Sequence, residues 1–135
     1  MQLVMPLKRI IPLLVLLSFP LAGNAAEDAL SGSKLLRNCN SYLMLLDGSS
    51  NSKIILGAGI CLGTIRGIID AGAIFDSHAV QDGKPATNVF CVPESVSTDQ
   101  GVRAVIKYLE EHPEDLDQRG TTLTVLALKQ AFPCK

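Results

Sequence analysis

Four cysteines constrain this 135-residue chain more than any other feature, because cross-links between them would fix which segments lie together. They are Cys39, Cys61, Cys91 and Cys134, and no two stand at the Cys-x-x-Cys spacing of zinc sites and redox motifs. An even number of separated cysteines is typical of a disulfide framework in an oxidising compartment. We therefore expect two disulfides, for which three pairings are possible.

The beginning of the chain indicates export to such a compartment. Lys8 and Arg9 precede an uncharged apolar run at residues 10–21. At about 12 residues this run has the length of a signal-peptide core and is shorter than the roughly 20 residues of a membrane-spanning helix. Gly23 and Ala25 supply the small-x-small pattern of a cleavage site. We expect residues 1–25 to be a signal peptide and residues 26–135 to be one periplasmic domain.

The charge of the mature chain excludes two classes of partner. Two of the twelve Lys and Arg residues lie in the predicted signal, so residues 26–135 carry ten of them against thirteen Asp and Glu, a net charge of −3. A mildly acidic surface of mixed sign suits neither nucleic acid nor an anionic membrane. We expect no nucleic-acid partner, and no membrane partner after the signal is removed.

Helical periodicity predicts an all-α fold, a small disulfide-stapled bundle of about four helices. The first helix begins after a cap at Ser31 or Ser33 and ends at Asp47-Gly48. Residues 54–75 are apolar nearly all round, which indicates a central, buried helix.

Two features of this second segment give it competing interpretations. Gly59, Gly63 and Gly67 share one helical face, where a neighbouring helix could approach closely. A membrane helix is the alternative, which the i,i+4 pair Arg66 and Asp70 makes costly.

The second half of the chain starts with a polar stretch. Residues 76–96 are predicted to form a loop that ends in a short apolar anchor around Cys91. Ser97 and Gln100 then fit a capping box that opens a third helix, which ends at His112-Pro113. A last helix is expected within residues 114–132, where Gly120 and the following threonines weaken its first half.

Antiparallel packing of these helices favours one of the three disulfide pairings. Cys39 and Cys61 lie about equally far from the turn near Ser50, so they would stand at the same height on facing helices. Cys91 precedes the third helix and Cys134 follows the last, so both would lie at one end of a bundle. We predict Cys39–Cys61 and Cys91–Cys134.

No residue pattern indicates catalysis, a cofactor or a bound metal. His78 and His112 have no partner at ligand spacing, and the cysteines are explained as disulfides. The glycines of the second helix do not match a phosphate-binding loop. The acidic residues between positions 110 and 117 are interpreted as a solvated corner between helices.

Four ordered motifs resemble one protein family. They are CLGTIRGI at residues 61–68, FCVP at 90–93, QGV at 100–102 leading to KYLEEHPE at 107–114, and ALKQAFPC at 127–134. Together they resemble the Rap/Tai immunity family of type VI secretion, over roughly residues 33–134. The resemblance implies a helical periplasmic protein, often a homodimer, that binds a peptidoglycan-cleaving Cys-His amidase effector and blocks its active-site cleft.

An inhibitor of a narrow cleft needs a protruding segment that is held rigidly at its base. The loop at residues 76–88 fits this description, and the corner at residues 112–117 is a second candidate surface. The predicted partner-binding residues are Ser77, His78, Gln81, Asp82, Gly83 and Lys84.

One other class of function fits an exported, helical, disulfide-bonded protein. A periplasmic acid-stress chaperone of the HdeA kind shares these properties, and it exposes apolar surface when its carboxylates are protonated. The behaviour at low pH separates this alternative from an inhibitor that binds an amidase.

Overall fold

The computed structural model describes residues 30–83 and 89–134, and in these ranges the fold is all-α, as predicted. The predicted signal peptide, residues 1–25, lies outside the described residues. The four α-helices and one short 3-10 helix are, in chain order, α1 Gly32–Leu46, α2 Ser52–Gln81, α3 Thr98–Glu111, the 3-10 helix Pro113–Asp115 and α4 Gly120–Ala131.

Helices α1 and α2 form an antiparallel hairpin whose ends are set by local sequence. Ser31 caps α1, because its side chain accepts a hydrogen bond from the Lys34 backbone N–H. Gly48 has a φ of 88°, the left-handed conformation that ends a helix and that glycine adopts at little cost. Asn51 then caps α2 by accepting from the Ile54 N–H at 3.0 Å.

The two disulfides have the predicted pairing. Cys39 bonds to Cys61 across the α1–α2 hairpin, with 5.0 Å between the Cα atoms. Cys91, before α3, bonds to Cys134, after α4, with a Cα–Cα distance of 4.9 Å. The first disulfide is wholly buried, whereas both cysteines of the second are exposed.

The core lies where one face of each helix meets the other three. Its buried side chains are Leu35, Cys39, Cys61, Ile65, Val102, Val105, Ile106, Tyr108, Leu109, Leu123, Ala127 and Leu128. Among the described residues, Thr124 is the one buried polar side chain, and its hydroxyl donates to the Gly120 carbonyl oxygen at 2.8 Å. The core therefore contains no carboxylate within the described part of the chain.

The second half of the chain begins and ends its helices at specific contacts. The predicted capping box of α3 is present, with the Ser97 and Gln100 side chains each accepting from the other's backbone N–H. Gly120 starts α4, and a Cβ there would lie 3.0 Å from the Leu30 carbonyl oxygen. Gly120, which was predicted to weaken the last helix, is thus its first residue, at a close approach to the start of α1.

The prediction that α2 is central and buried is wrong. Its buried residues end at Ile65, and the outward face carries exposed apolar side chains in both halves. Within residues 30–83 and 89–134, α2 is the one helix with the length and composition to cross a membrane, and 22% of its most apolar stretch is buried. Arg66 and Asp70 pair at 3.1 Å in the middle of that stretch.

The glycines of α2 also differ from the prediction. A Cβ at Gly59, Gly63 or Gly67 would meet no described atom within 4 Å, so none of the described helices approaches that face closely. The close approach occurs at Gly57 instead, where a Cβ would lie 2.8 Å from the Ser41 Oγ of α1. Gly57 therefore allows the contact between the two hairpin helices.

Candidate functional site

The end of α2 carries three of the six predicted partner-binding residues. Ser77, His78 and Gln81 were expected in a loop, but α2 continues through Gln81, so for residues 76–81 that prediction is wrong. Residues 76–81 are mostly polar but include no glycine or proline that would break a helix. A helix end that projects into solvent tolerates polar side chains. At positions i, i+1 and i+4, Ser77, His78 and Gln81 share one exposed side of the helix.

The helix stops at the next two predicted residues. The Asp82 backbone N–H donates to the His78 carbonyl oxygen at 3.0 Å, and Gly83 follows with a φ of 69°. Gly83 supplies the left-handed conformation that turns the chain away from the helix axis. Lys84, the sixth predicted residue, lies outside the described residues.

The chain returns to the bundle at residues 89–93, which are non-helical as predicted. The Phe90 ring packs on α2, where its Cζ lies 3.2 Å from the position that a Cβ of Gly72 would occupy. The Cys91 N–H donates to the Phe132 carbonyl oxygen at 2.8 Å, beside the disulfide to Cys134. The returning segment is therefore clamped to α2 on one side and to the end of α4 on the other.

A groove of about 440 Å³ lies between this segment and the second half of α2. Its surface is mainly apolar, and Asp76 is the charged residue in its described lining. The lining residues are Ile69, Gly72, Ala73, Asp76, Phe90, Cys91, Val92 and Pro93. Sequence reasoning did not foresee it, because the contact of Phe90 with Gly72 joins segments that only the fold brings together.

The second candidate surface, the corner at residues 112–117, is built tightly onto the helices. The His112 ring stacks on Tyr108 with 4.1 Å between ring centroids, and its Nδ1 donates to the Tyr108 carbonyl oxygen at 2.8 Å. Ser33 holds the Leu116 carbonyl oxygen with its N–H at 2.9 Å and its hydroxyl at 3.0 Å. Burial, with Asp115 and Glu114 nearby, raises the pKa of Tyr108.

The described residues contain neither a metal-binding cluster nor a free cysteine. No group of three or more His, Cys, Asp and Glu side chains among them could hold a metal ion. Every cysteine is in a disulfide, so none is available as a nucleophile. His112 is engaged with Tyr108, and His78 stands on the exposed end of α2.

A comparison with protein families identifies the family of this chain. The family model of the Rap1a immunity proteins matches residues 31–134. This chain belongs to the Rap1a immunity protein family. The match begins at Ser31, the cap of α1, and ends at Cys134, the last disulfide cysteine, so it covers the whole helical bundle. No curated protein matches the chain.

Membership in the Rap1a family gives the helical bundle a general role. Its proteins are immunity proteins, which counter a secreted effector by binding it. The resemblance that the four sequence motifs indicated is therefore confirmed, together with the fold class.

Proposed function

We propose that this Rap1a family member is a periplasmic immunity protein that inhibits a type VI-secreted peptidoglycan amidase by occluding its active-site cleft. The observation that carries the proposal is the projecting end of α2. The helix is capped at Asp82, and the segment that follows it is attached to the bundle by the Cys91–Cys134 disulfide. A contact surface that is rigid before binding loses little conformational entropy when the effector docks. The chain itself performs no catalysis in this proposal and needs no cofactor.

The proposed contact residues are those predicted from the sequence: Ser77, His78, Gln81, Asp82, Gly83 and Lys84. The first three present polar side chains on one exposed side of a helix. The Ser77 hydroxyl donates to the Ile74 carbonyl oxygen at 2.8 Å and keeps its oxygen as an acceptor for a partner, while His78 and Gln81 extend exposed polar groups. The corner at His112 is bound to its neighbours by stacking and hydrogen bonds, which makes it the secondary surface.

Direct binding tests the proposal. The mature protein, residues 26–135, is mixed with a Cys-His amidase encoded beside it or in a sister strain, and complex formation is measured by calorimetry while peptidoglycan cleavage is followed by turbidity. A stable complex with loss of cleavage is expected. If the mature protein binds none of these amidases and leaves cleavage unchanged, the proposal is wrong.

A matched pair of variants tests the assigned surface. Gln81→Arg places a large side chain on the exposed end of α2, and Gln130→Arg makes the same change on the exposed side of α4. We expect Gln81→Arg to weaken inhibition at least about tenfold, a loss of roughly 1.4 kcal/mol of binding free energy, and Gln130→Arg to leave it unchanged. Equal effects of the two variants would move the contact surface elsewhere.

Export and self-association are part of the same proposal. Residues 1–25 direct export and are then removed, so the protein recovered from the periplasm should begin at or within a residue of Ala26 when its N-terminus is sequenced. The family resemblance also implies a possible homodimer. A protein that stays in the cytoplasm with residues 1–25 attached would contradict the location.

The acid-chaperone alternative gains no support from the described residues. Acid activation requires carboxylates whose protonation loosens a core or an interface. The buried side chains of the described part are apolar apart from Thr124, and its ion pairs, such as Arg66–Asp70 and Arg103–Asp99, have exposed side chains. Dye binding that stays flat from neutral pH to about pH 2 is expected, since no Asp or Glu side chain in the described ranges is fully buried.

A further inference from the structure

Asp76 carries a charge on a mainly apolar groove and has no partner in the described chain. It is half-buried and lines the groove of about 440 Å³ together with Ile69, Phe90 and Pro93. No hydrogen bond or ion pair joins its side chain to another residue of the ranges 30–83 and 89–134. A carboxylate that is partly removed from water is unfavourable unless a partner supplies the opposite charge. The described chain supplies none, so this charge is available to a partner.

The ring of Phe90 lies next to this carboxylate. Its Cζ is 3.2 Å from the position that a Cβ of Gly72 would occupy, and Asp76 follows Gly72 by four residues in α2. Residues at this spacing are neighbours on one face of a helix, with about 5–6 Å between their Cβ positions. The groove therefore combines an aromatic wall with a negative charge one helical turn further along.

The negative charge continues along the cleft on the other side of Pro93. A second groove of about 380 Å³ shares Pro93 with the first and is lined also by Arg66, Asp70 and Glu94. Arg66 bonds to Asp70, with its Nε 3.1 Å from Oδ1, so these two charges balance each other. Glu94 and Asp76 then give the two grooves together a net charge of −2. Electrostatic complementarity favours a positively charged group as the occupant.

We propose that the groove beside Asp76 receives a lysine or arginine side chain of the amidase effector. The hydrocarbon stem of that side chain packs on Phe90 and its cation meets the Asp76 carboxylate, since such side chains bury their stems on apolar surface and keep the charge at its edge. The aromatic ring and the carboxylate both attract the cation. The volume of about 440 Å³ falls within the roughly 300–1,000 Å³ of ligand-binding clefts. This inference rests on the proposed function and adds the chemistry of the partner.

The position of Asp76 favours the effector over a second copy of this chain as the source of the side chain. Asp76 directly precedes Ser77, the first of the proposed contact residues, so an effector that docks there also reaches the groove. The chain has more acidic than basic residues, so a second copy is repelled at long range whereas a basic surface of an effector is attracted.

Asp76→Asn tests the charge, and Asp47→Asn is the matched control. Both variants remove one carboxylate, but Asp47 is exposed at the other end of the hairpin, and α2 runs about 36 Å from Ser52 to Asp76 at the rise of an α-helix. In calorimetry with the amidase encoded beside this chain, we expect Asp76→Asn to raise the Kd at least about tenfold and Asp47→Asn to leave it unchanged. Equal Kd values for the two variants, with the amidase still bound and inhibited, overturn this inference and leave the proposed function standing.

A set of effector variants identifies the bound side chain. Each exposed lysine and arginine of the amidase is replaced by alanine, and its affinity is measured for wild type and for Asp76→Asn. One replacement should weaken binding to wild type about tenfold and have little effect on binding to Asp76→Asn, because the opposite charge is already gone. Additive effects for every replacement would show that no basic side chain pairs with Asp76.

A model ligand tests the groove without the amidase. N-acetyl-arginine amide and its uncharged analogue N-acetyl-citrulline amide are titrated at millimolar concentration into isotopically labelled mature protein, and backbone amide signals are followed by NMR. The arginine compound should shift the signals of Gly72, Asp76 and Phe90, and neither the citrulline compound nor the Asp76→Asn protein should show these shifts. Their absence in wild type overturns the inference. Shifts in a protein that binds no amidase would keep the basic-group site and refute both the proposed function and the effector as the source.

Two further outcomes would assign the groove to another occupant. Asp76→Asn loses no bond within the described chain, so its midpoint in urea should not fall below that of Asp47→Asn. A lower midpoint would show that the carboxylate stabilises the chain's own fold. A homodimer that Asp76→Asn dissociates in sedimentation equilibrium would assign the groove to a second copy. Either result overturns the inference.

Discussion

The backbone N–H of Cys91 donates to the carbonyl oxygen of Phe132 at 2.8 Å, which joins the segment that returns from α2 to the end of α4. The disulfide from Cys91 to Cys134 closes the same junction, and Phe90 rests on Gly72 of α2 beside it. Three separate parts of the chain are thus held together at the base of the projecting end of α2. The junction fixes where the proposed contact surface stands relative to the bundle.

Opening this junction should reduce both stability and inhibition. In the variant with Cys91→Ser and Cys134→Ser, the unfolded chain gains the freedom of a loop with a sequence separation of 43 residues. We expect the free energy of unfolding to fall by about 2–4 kcal/mol in urea denaturation. Amidase inhibition should fall further than the unfolded fraction explains, because the contact surface loses its support. Inhibition that falls only in proportion to the folded fraction would show that the Cys91–Cys134 disulfide contributes to stability but not to effector binding.

The two disulfides should differ in their reaction with a reductant. Cys39 and Cys61 are both 0% exposed, whereas Cys91 and Cys134 are exposed, so a thiolate reaches the second pair without unfolding the protein. Native protein treated with limiting dithiothreitol, alkylated and mapped by mass spectrometry should carry label on Cys91 and Cys134 first. Label that appears first on Cys39 and Cys61 would contradict the assigned exposures.

The helix ends were predictable where side chains bind backbone groups. Ser97 caps α3, as the sequence predicted, and Ser31 caps α1, where the sequence left Ser31 and Ser33 open. Capping needs only residues a few positions apart, so it is visible in the sequence. The end of α2 was placed too early in the sequence. The polar composition of residues 76–81 suggested a loop, although the residue that stops the helix, Gly83, lies beyond them.

The burial of α2 was not predictable from its own sequence. A segment that is apolar all round is compatible with a central core helix and equally with a helix that has one face on its own bundle and another on a partner. Only the fold shows that Gly57 meets Ser41 while Gly63 and Gly67 meet nothing in the described chain. The exposure of the proposed contact residues on α2 was not predictable either, because it depends on where the other helices of the bundle end.

Tyr108 should make the stability of the protein fall at alkaline pH. Burial first, and then the negative charges of Asp115 and Glu114, raise the pKa of its phenol in the folded state. A raised pKa means that the folded protein favours the protonated ring. The resulting stability is fully present below the unfolded pKa of about 10 and is lost as pH rises through the folded pKa.

The variant Tyr108→Phe isolates this contribution. We expect the free energy of unfolding of wild type to decline more steeply than that of Tyr108→Phe as pH rises above about 10. In Asp115→Asn, phenolate absorbance should show Tyr108 ionising at a lower pH than in wild type, since one negative charge has been removed. Parallel alkaline profiles of wild type and Tyr108→Phe would show that the phenol contributes nothing.

Two glycines of α2 should respond in opposite directions to the same change. In Gly57→Ala the new methyl group would lie 2.8 Å from Ser41 Oγ and 2.9 Å from Ser41 Cβ. The Ser41 Cβ cannot move away without shifting α1. The Ser41 hydroxyl is held by its hydrogen bond to the Arg37 carbonyl oxygen at 3.2 Å. We expect Gly57→Ala to lower the free energy of unfolding by about 1–3 kcal/mol. Gly59→Ala meets no described atom within 4 Å, so the better helix propensity of alanine should raise it by about 0.5–1 kcal/mol. Urea denaturation at low protein concentration measures both, and a Gly57→Ala variant as stable as Gly59→Ala would mean that α1 and α2 do not pack as closely as the Gly57–Ser41 contact requires.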